Sequence, residues 1–214
     1  MASIDAIDFI RTNLPIEPVP GVPEIELHKA SPSSGLGRLA AQDAGFGSPY
    51  WAYYWAGGLA LARHILDHPE IVAGCRVLDL GAGSGLVSIA AAKAGAGAVI
   101  AAEIDPYAVA ALSLNLAHNE VAVSVVHGDL TAGAPPAIDV VLVGDLFYER
   151  DLAERVTAFL DRCVADGAHV LIGDPWRAWL PRSRLRLLAE YEVAETNSSA
   201  PKASAVFAFE AKPA

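Results

Sequence analysis

Residues 76–85 read Arg-Val-Leu-Asp-Leu-Gly-Ala-Gly-Ser-Gly: an apolar strand, Val77 to Leu80, with Asp79 near its end, then Gly81, Gly83 and Gly85, then an alanine-rich helix. Glycine suits a backbone that turns sharply beside a ligand, because it has no Cβ and reaches positive φ freely. The helix that follows aims free amides and the positive end of its dipole back at the loop, so the loop should hold an anionic or polar ligand end. On the next strand an apolar run, Ala98 to Ala102, closes on Glu103. An acid about twenty residues beyond such a loop commonly accepts from ribose hydroxyls, because both strand ends open on one crevice. Glu103 is assigned that role. Asp105 before Pro106 reads instead as a helix N-cap with proline at the first helical position.

Dinucleotide enzymes use Gly-x-Gly-x-x-Gly in the same topological place. Here Leu86 stands where that pattern has its last glycine, and the loop is Gly-x-Gly-x-Gly after a strand bearing Asp79. This resembles motif I of the class I methyltransferases that use S-adenosyl-L-methionine. The resemblance implies that Gly81, Gly83 and Gly85 form the cofactor loop and that Asp79 faces the amino group of the cofactor's methionine part. A third strand, Val121 to Val126, leads into His127-Gly128-Asp129-Leu130. By the same resemblance, Asp129 accepts from the adenine amino group and Leu130 packs beside the ring.

The exit of the fourth strand faces the transferred methyl group in that architecture. It reads Gly144-Asp145-Leu146-Phe147-Tyr148-Glu149, without the Asn-Pro-Pro-Tyr of enzymes that methylate amide nitrogens or adenine. Asp-x-x-Tyr resembles the [Asp/Glu]-x-x-[Tyr/Phe] signature of seven-strand protein lysine methyltransferases, which makes Asp145 and Tyr148 the candidate catalytic residues. A lysine of pKa about 10.4 is almost wholly ammonium at pH 7, and freeing its lone pair costs about 4.6 kcal/mol. Desolvation beside a sulfonium lowers that cost. Asp145 would orient the amine by accepting its remaining hydrogen and would offset the charge that grows on nitrogen. Its own charge opposes deprotonation, so it is a positioning and electrostatic group rather than a strong base. Tyr148 would wall the lysine channel with its ring or hydroxyl. The plainer alternatives make Asp145 a cap for a helix starting near Arg150 and Tyr148 a core aromatic. Among the aromatics ahead of the cofactor strand, Trp55 is assigned to the methionine and sulfonium end of the cofactor, with Gly57-Gly58 permitting close approach. Trp51 is left open.

The elements that must position these groups follow from periodicity and punctuation. Ser3 caps a short helix ending near Asn13, residues 15–23 form a proline-broken connector, and Glu24 to Lys29 are a strand or extended segment. Ser31 to Pro49 read as a loop that could fold over the cofactor. Trp51 to Leu66 turn helical from about Gly58. Then come strand 75–80, helix 85–94, strand 97–103, helix 106–119, strand 121–126, strand 138–143, helix 150–165, strand 168–173 and helix 181–189. Tyr191 to Thr196 and Ala203 to Glu210 alternate in polarity as an antiparallel pair around Asn-Ser-Ser-Ala-Pro. The expected fold is α/β: a Rossmann-like three-layer sandwich with a seven-stranded, mostly parallel sheet and a C-terminal antiparallel hairpin. One domain over 1–214 is expected, with 1–57 as N-terminal helix, connector and aromatic entrance and 58–214 as catalytic core.

Composition narrows the function classes. A net charge of −10 disfavours nucleic acid, and no apolar run is long enough for a membrane span. The first residues lack the features of a signal peptide, and two cysteines fit a reducing compartment, so a cytoplasmic location is expected. His64 and His68 have helical metal-ligand spacing but no third ligand nearby, so no metal is expected. Over nearly the whole length the chain resembles the bacterial and mitochondrial lysine methyltransferases of the electron-transfer flavoprotein beta subunit. The resemblance rests on the Phe9-to-Asn13 helix, the aromatic run Pro49 to Ala60, Val77 to Gly85, Ala102 to Pro106 and Asn115-Leu116-Ala117-His118-Asn119. One departure is Trp176 in Asp174-Pro175-Trp176-Arg177, where a smaller residue would be expected. The resemblance implies S-adenosyl-L-methionine as cofactor and a protein substrate presenting a lysine, with a monomer as the working expectation. A ribosomal protein or a small-molecule amine is the alternative acceptor.

Overall fold

A computed structural model describes residues 5–43, 45–194 and 200–212. In chain order its elements are α1 (Ala6–Asn13), β1 (Ile16–Val19), β2 (Val22–His28), α2 (Leu36–Gln42), α3 (Ala56–Asp67), β3 (Arg76–Leu80), α4 (Leu86–Lys93), β4 (Ala98–Glu103), α5 (Pro106–His118), β5 (Ser124–His127), β6 (Val140–Gly144), α6 (Arg150–Ala165), β7 (His169–Asp174), β8 (Leu185–Val193) and β9 (Lys202–Phe209). Seven strands form one sheet in the order β5-β4-β3-β6-β7-β9-β8. The pairs from β5 to β7 are parallel, and β9 is antiparallel to both β7 and β8. The α/β fold, the parallel sheet and the terminal antiparallel pair all stand as the sequence implies. No helix among the described residues is long and apolar enough to cross a membrane.

Side-chain parity along the strands builds the core. Val77, Val140, Leu142 and Leu171 pack with Leu61, Ile65, Val87 and Ala91 of α3 and α4. Their neighbours Leu78, Val141, Val143 and Ile172 point the other way, onto Val156, Phe159 and Leu160 of α6. Each such side chain contributes about 1.5–3 kcal/mol by burial, and a one-residue slip would turn every one to the wrong layer. The same parity puts Asp79, which is level with Ala101 and Leu142, on the α4 side.

Five local expectations are corrected. Ser3 lies outside the described residues, and the cap of α1 is Asp5, whose carboxylate accepts from the amides of Ile7 and Asp8. Proline at 15 and 18 hides β1, which pairs with β2 as a separate antiparallel hairpin. Within Ser31 to Pro49 lies α2, started by Gly35 at φ 68 and anchored by buried Leu39. Helix α3 begins at Ala56, two residues before the expected point. Residues 181–189 are not a helix: a short turn at Arg182–Arg184 leads into β8. Leucine, arginine and alanine favour helix locally, but pairing along β9 from Leu185↔Phe209 to Val193↔Lys202 outweighs that preference. Arg184 pins the start of the strand by donating to Asp161 and to the carbonyl of Glu210. The expected turn at 197–201 lies mostly outside the described residues.

Candidate active site

Strands β3, β4, β5, β6 and β7 end on one edge of the sheet, where a cavity of about 510 Å³ opens. That volume lies within the range of about 300–1,000 Å³ usual for small-molecule sites. Trp55, Asp79, Gly81, Gly83, Glu103, Asp129, Leu130, Asp145 and Tyr148 all line it. Gly85 does not. It sits at the start of α4 with φ 87, where a Cβ would meet Leu112 Cδ1 at 2.5 Å, so its lack of a side chain serves helix packing.

The glycine loop offers a ligand room rather than a nest of amides. The amides of Gly81 and Ala82 both donate to the carbonyl of Ala102, Gly83 donates to Glu103 Oε2 at 2.8 Å, and Gly85 donates to Ala82. Gly81 has φ 72 and Gly83 φ 54, and a Cβ on Gly81 would strike Leu146 Cδ2 at 2.7 Å. Amides in the first turn of α4 therefore carry the dipole contribution expected of the loop.

Asp79 is 2% exposed and accepts from Ser88 Oγ at 2.5 Å. Burial pushes its carboxyl up to about 7, against the lowering by Ser88 and with a further rise from Glu103. At neutral pH it is thus poised to ionise when a cation arrives. Glu103 is also buried; its Oε1 accepts from Tyr50 Oη at 2.7 Å, Ile104 N at 2.7 Å and Asp105 N at 3.1 Å. Among the described residues its Oε2 accepts only from Gly83, which leaves that oxygen open to hydroxyl donors. Asp129 takes Thr131 N at 2.8 Å and Thr131 Oγ1 at 2.6 Å on Oδ1, which holds its carboxyl below the usual range. Asp105 caps α5 as expected, accepting from Tyr107 and Ala108.

At the exit of β6 the segment divides its labour residue by residue. Phe147 is fully buried against the α6 layer, Leu146 lies under the glycine loop, and Asp145 and Tyr148 face the cavity. Asp145 adopts φ 62, a left-handed conformation uncommon for a side-chain-bearing residue. It does not cap α6, whose N-cap position is Glu149 without a side-chain bond. Instead Asp145 Oδ2 accepts from Gly58 N at 2.6 Å in the first turn of α3, and Oδ1 accepts from Arg177 Nη1. Burial raises the Asp145 carboxyl, and Arg177 and the α3 amides oppose that rise. Tyr148 is 62% exposed, so it is a rim group and not a core aromatic.

Glycines allow this meeting of elements. A Cβ on Gly57 would lie 2.1 Å from Gly173 O, one on Gly173 would lie 2.2 Å from Gly57 O, and one on Gly144 would lie 3.2 Å from Gly58 Cα. Gly57-Gly58 thus permit close approach, but of α3 to the sheet.

Further residues that line the cavity include Arg177, Tyr50 and Trp51. Arg177 follows β7 and pairs with both Asp145 and the fully buried Asp174. Tyr50 bonds Glu103 and accepts Trp55 Nε1 on its carbonyl at 2.9 Å. Trp51 packs with Ile10, Leu39 and Tyr107, and its Nε1 has no hydrogen-bond partner among the described residues. The aromatic run held a signal for Tyr50. Nothing local linked Arg177 to Asp145, 32 positions earlier.

The chain is similar to known methyltransferases in sequence and in fold. The family model of ribosomal protein L11 methyltransferase (PrmA) matches residues 61–162. The electron transfer flavoprotein beta subunit lysine methyltransferase of Danio rerio is 37% identical over 200 residues, covering 89% of this chain and 78% of its own length. The Homo sapiens protein of the same name is 36% identical over 180 residues, covering 81% and 69%. A ribosomal protein L11 methyltransferase of Pelobacter propionicus is 38% identical, but over 117 residues covering 54% and 37%. Among solved structures, TrmN from Thermus thermophilus superposes with a TM-score of 0.53 at 20% identity over 71% of this chain and 48% of its own. Ribosomal protein L11 methylase from Lactobacillus delbrueckii gives 0.51 at 18% identity over 74% and 81%. These last two likenesses concern the fold.

Proposed function

Because the chain belongs to the electron transfer flavoprotein beta subunit lysine methyltransferase family, we propose that it methylates lysine on that beta subunit, using S-adenosyl-L-methionine. When bound, the cofactor supplies an electrophilic methyl group on a sulfonium. The residues present fit it: a loop whose Gly81 has no room for a Cβ lies beside three acids, Asp79, Glu103 and Asp129, on successive strand ends. Asp79 would hold the amino group of the methionine part, Glu103 Oε2 the ribose hydroxyls, and Asp129 the adenine amino group, with Leu130 against the ring. Trp55 would wall the sulfonium end.

The observation that carries the reading is that Asp145 and Tyr148 share one cavity with this acid series. Tyr148, exposed at the rim, would guide the lysine stem inward. Asp145 would accept the hydrogen left on the neutral amine and offset the positive charge that develops on nitrogen. Apolar cavity walls beside the amine would favour its neutral form by partial desolvation. The nitrogen's surplus proton leaves to solvent. A cytoplasmic site of action is proposed, consistent with Cys75 and Cys163 both being free thiols.

Incubation with methyl-labelled cofactor and purified flavoprotein, followed by peptide mass spectrometry, tests this. A labelled lysine on the beta subunit is expected. Label on ribosomal protein L11 and none on the flavoprotein would move the enzyme to the other acceptor.

A further inference from the structure

The groups around Asp145 are few and defined. From α3 the amide of Gly58 donates to it, and from the exit of β7 the Arg177 guanidinium does so. Behind the guanidinium stands Asp174, whose Oδ1 accepts Arg177 N at 2.7 Å and whose Oδ2 accepts Arg177 Nη1 at 3.2 Å. Tyr148 belongs to the same segment as Asp145, and Asp79 and Glu103 line the cavity from β3 and β4. Arg177 is thus held by backbone and side chain together, its side chain only 18% exposed and that of Asp145 only 11%.

Burying three charged groups costs several kcal/mol unless they serve one another. A lone carboxylate aimed at an incoming amine would hold that amine as ammonium, which cannot attack. A guanidinium already on the carboxylate cancels much of that pull and leaves lone pairs free to accept.

We propose that Arg177 is a positioning residue: it clamps the Asp145 carboxylate in an aimed and ionised form and offsets its charge, so that Asp145 orients an incoming amine without trapping it as ammonium. The inference rests on the lysine-methyltransferase reading of the site, but it can be tested apart from that reading. Asp145 is titrated by NMR in protein labelled with ¹³C at the aspartate carboxyl carbons, without substrate, in the wild type, Arg177→Met and Arg177→Lys. In Arg177→Met the Asp145 midpoint should rise by about one to three pH units, and in Arg177→Lys it should stay near the wild type. With the flavoprotein as substrate, the acid limb of the kcat profile should move upward in Arg177→Met and return in Arg177→Lys, while cofactor Kd changes less than about threefold. Arg177→Gln serves the same comparison should the methionine variant not fold.

A midpoint that fails to move in the uncharged variants, or that moves equally in Arg177→Lys, overturns the proposal. So does an acid limb that stays in place on a substrate the enzyme methylates. A midpoint that moves as expected in a protein that leaves the flavoprotein unmodified supports the clamp and removes the substrate reading alone.

Discussion

The two halves of the cavity hold their acids in opposite ways. On the β3 to β5 side, Asp79, Glu103 and Asp129 receive hydrogen bonds from a serine, a tyrosine, a threonine and backbone amides, with no cation among those donors. On the β6 to β7 side, Asp145 and Asp174 share the guanidinium of Arg177. Neutral donors orient a carboxylate and leave its charge for a guest, whereas a cation both orients and offsets it. The first arrangement suits gripping a ligand with ammonium, hydroxyl and amino donors. The second suits presenting an acceptor oxygen to an amine that must lose its proton.

If this division is right, substitutions on the two sides separate affinity from turnover. Asp145→Asn should lower kcat about a hundredfold, with cofactor Kd by calorimetry nearly unchanged; full turnover would end the division on the acceptor side. Asp79→Asn should weaken cofactor binding about thirtyfold, the worth of one charge-assisted hydrogen bond, with little loss of kcat at saturation. The free Asp79 carboxyl stands at about 7, so it is protonated below that pH and must lose its proton to meet an ammonium. Cofactor affinity should therefore fall about tenfold per pH unit as pH drops below 7, stay level above it, and lose this dependence in Asp79→Asn. Calorimetry in buffers of different ionisation enthalpy would register the released proton. The smallest effect expected is for Tyr50→Phe, which removes one donor from Glu103 and should raise cofactor Kd about threefold. No change there would mean that the backbone amides alone orient Glu103.

The linked stability effect has a definite sign. Because the folded state holds the Asp79 proton more tightly than the unfolded chain, whose carboxyl titrates near 3.8, this group favours the folded state fully below that pH. That contribution is lost as pH rises through about 7. Denaturant melts of the ligand-free wild type and Asp79→Asn across this window should diverge accordingly.

The gripping half was legible in the sequence because its information is local. A parallel strand, a glycine turn and an acid at the strand end are written within a few residues, and parallel register brings Asp79, Glu103 and Asp129 to one edge. The presenting half was legible only in part. Asp145 and Tyr148 stand in one short segment, but the pairing with Arg177 and the cap on α3 arise from contacts 32 and 87 positions apart. The same contrast runs through the fold. The alternating elements between residues 76 and 174 follow the periodicity closely. By contrast, β8 is a strand because β9 lies beside it, and β1 pairs with β2 despite its prolines.

The contact of Gly57 with Gly173, and of Gly58 with Gly144, means that the base of the presenting half is main chain against main chain. Such a base cannot be re-sculpted by exchanging side chains, since any addition there displaces a helix from its sheet. Divergence toward another acceptor, natural or in the laboratory, must therefore be written in exposed cavity-lining side chains such as Tyr148. A library at Tyr148 would sample new acceptors without touching the acids assigned to the methyl donor.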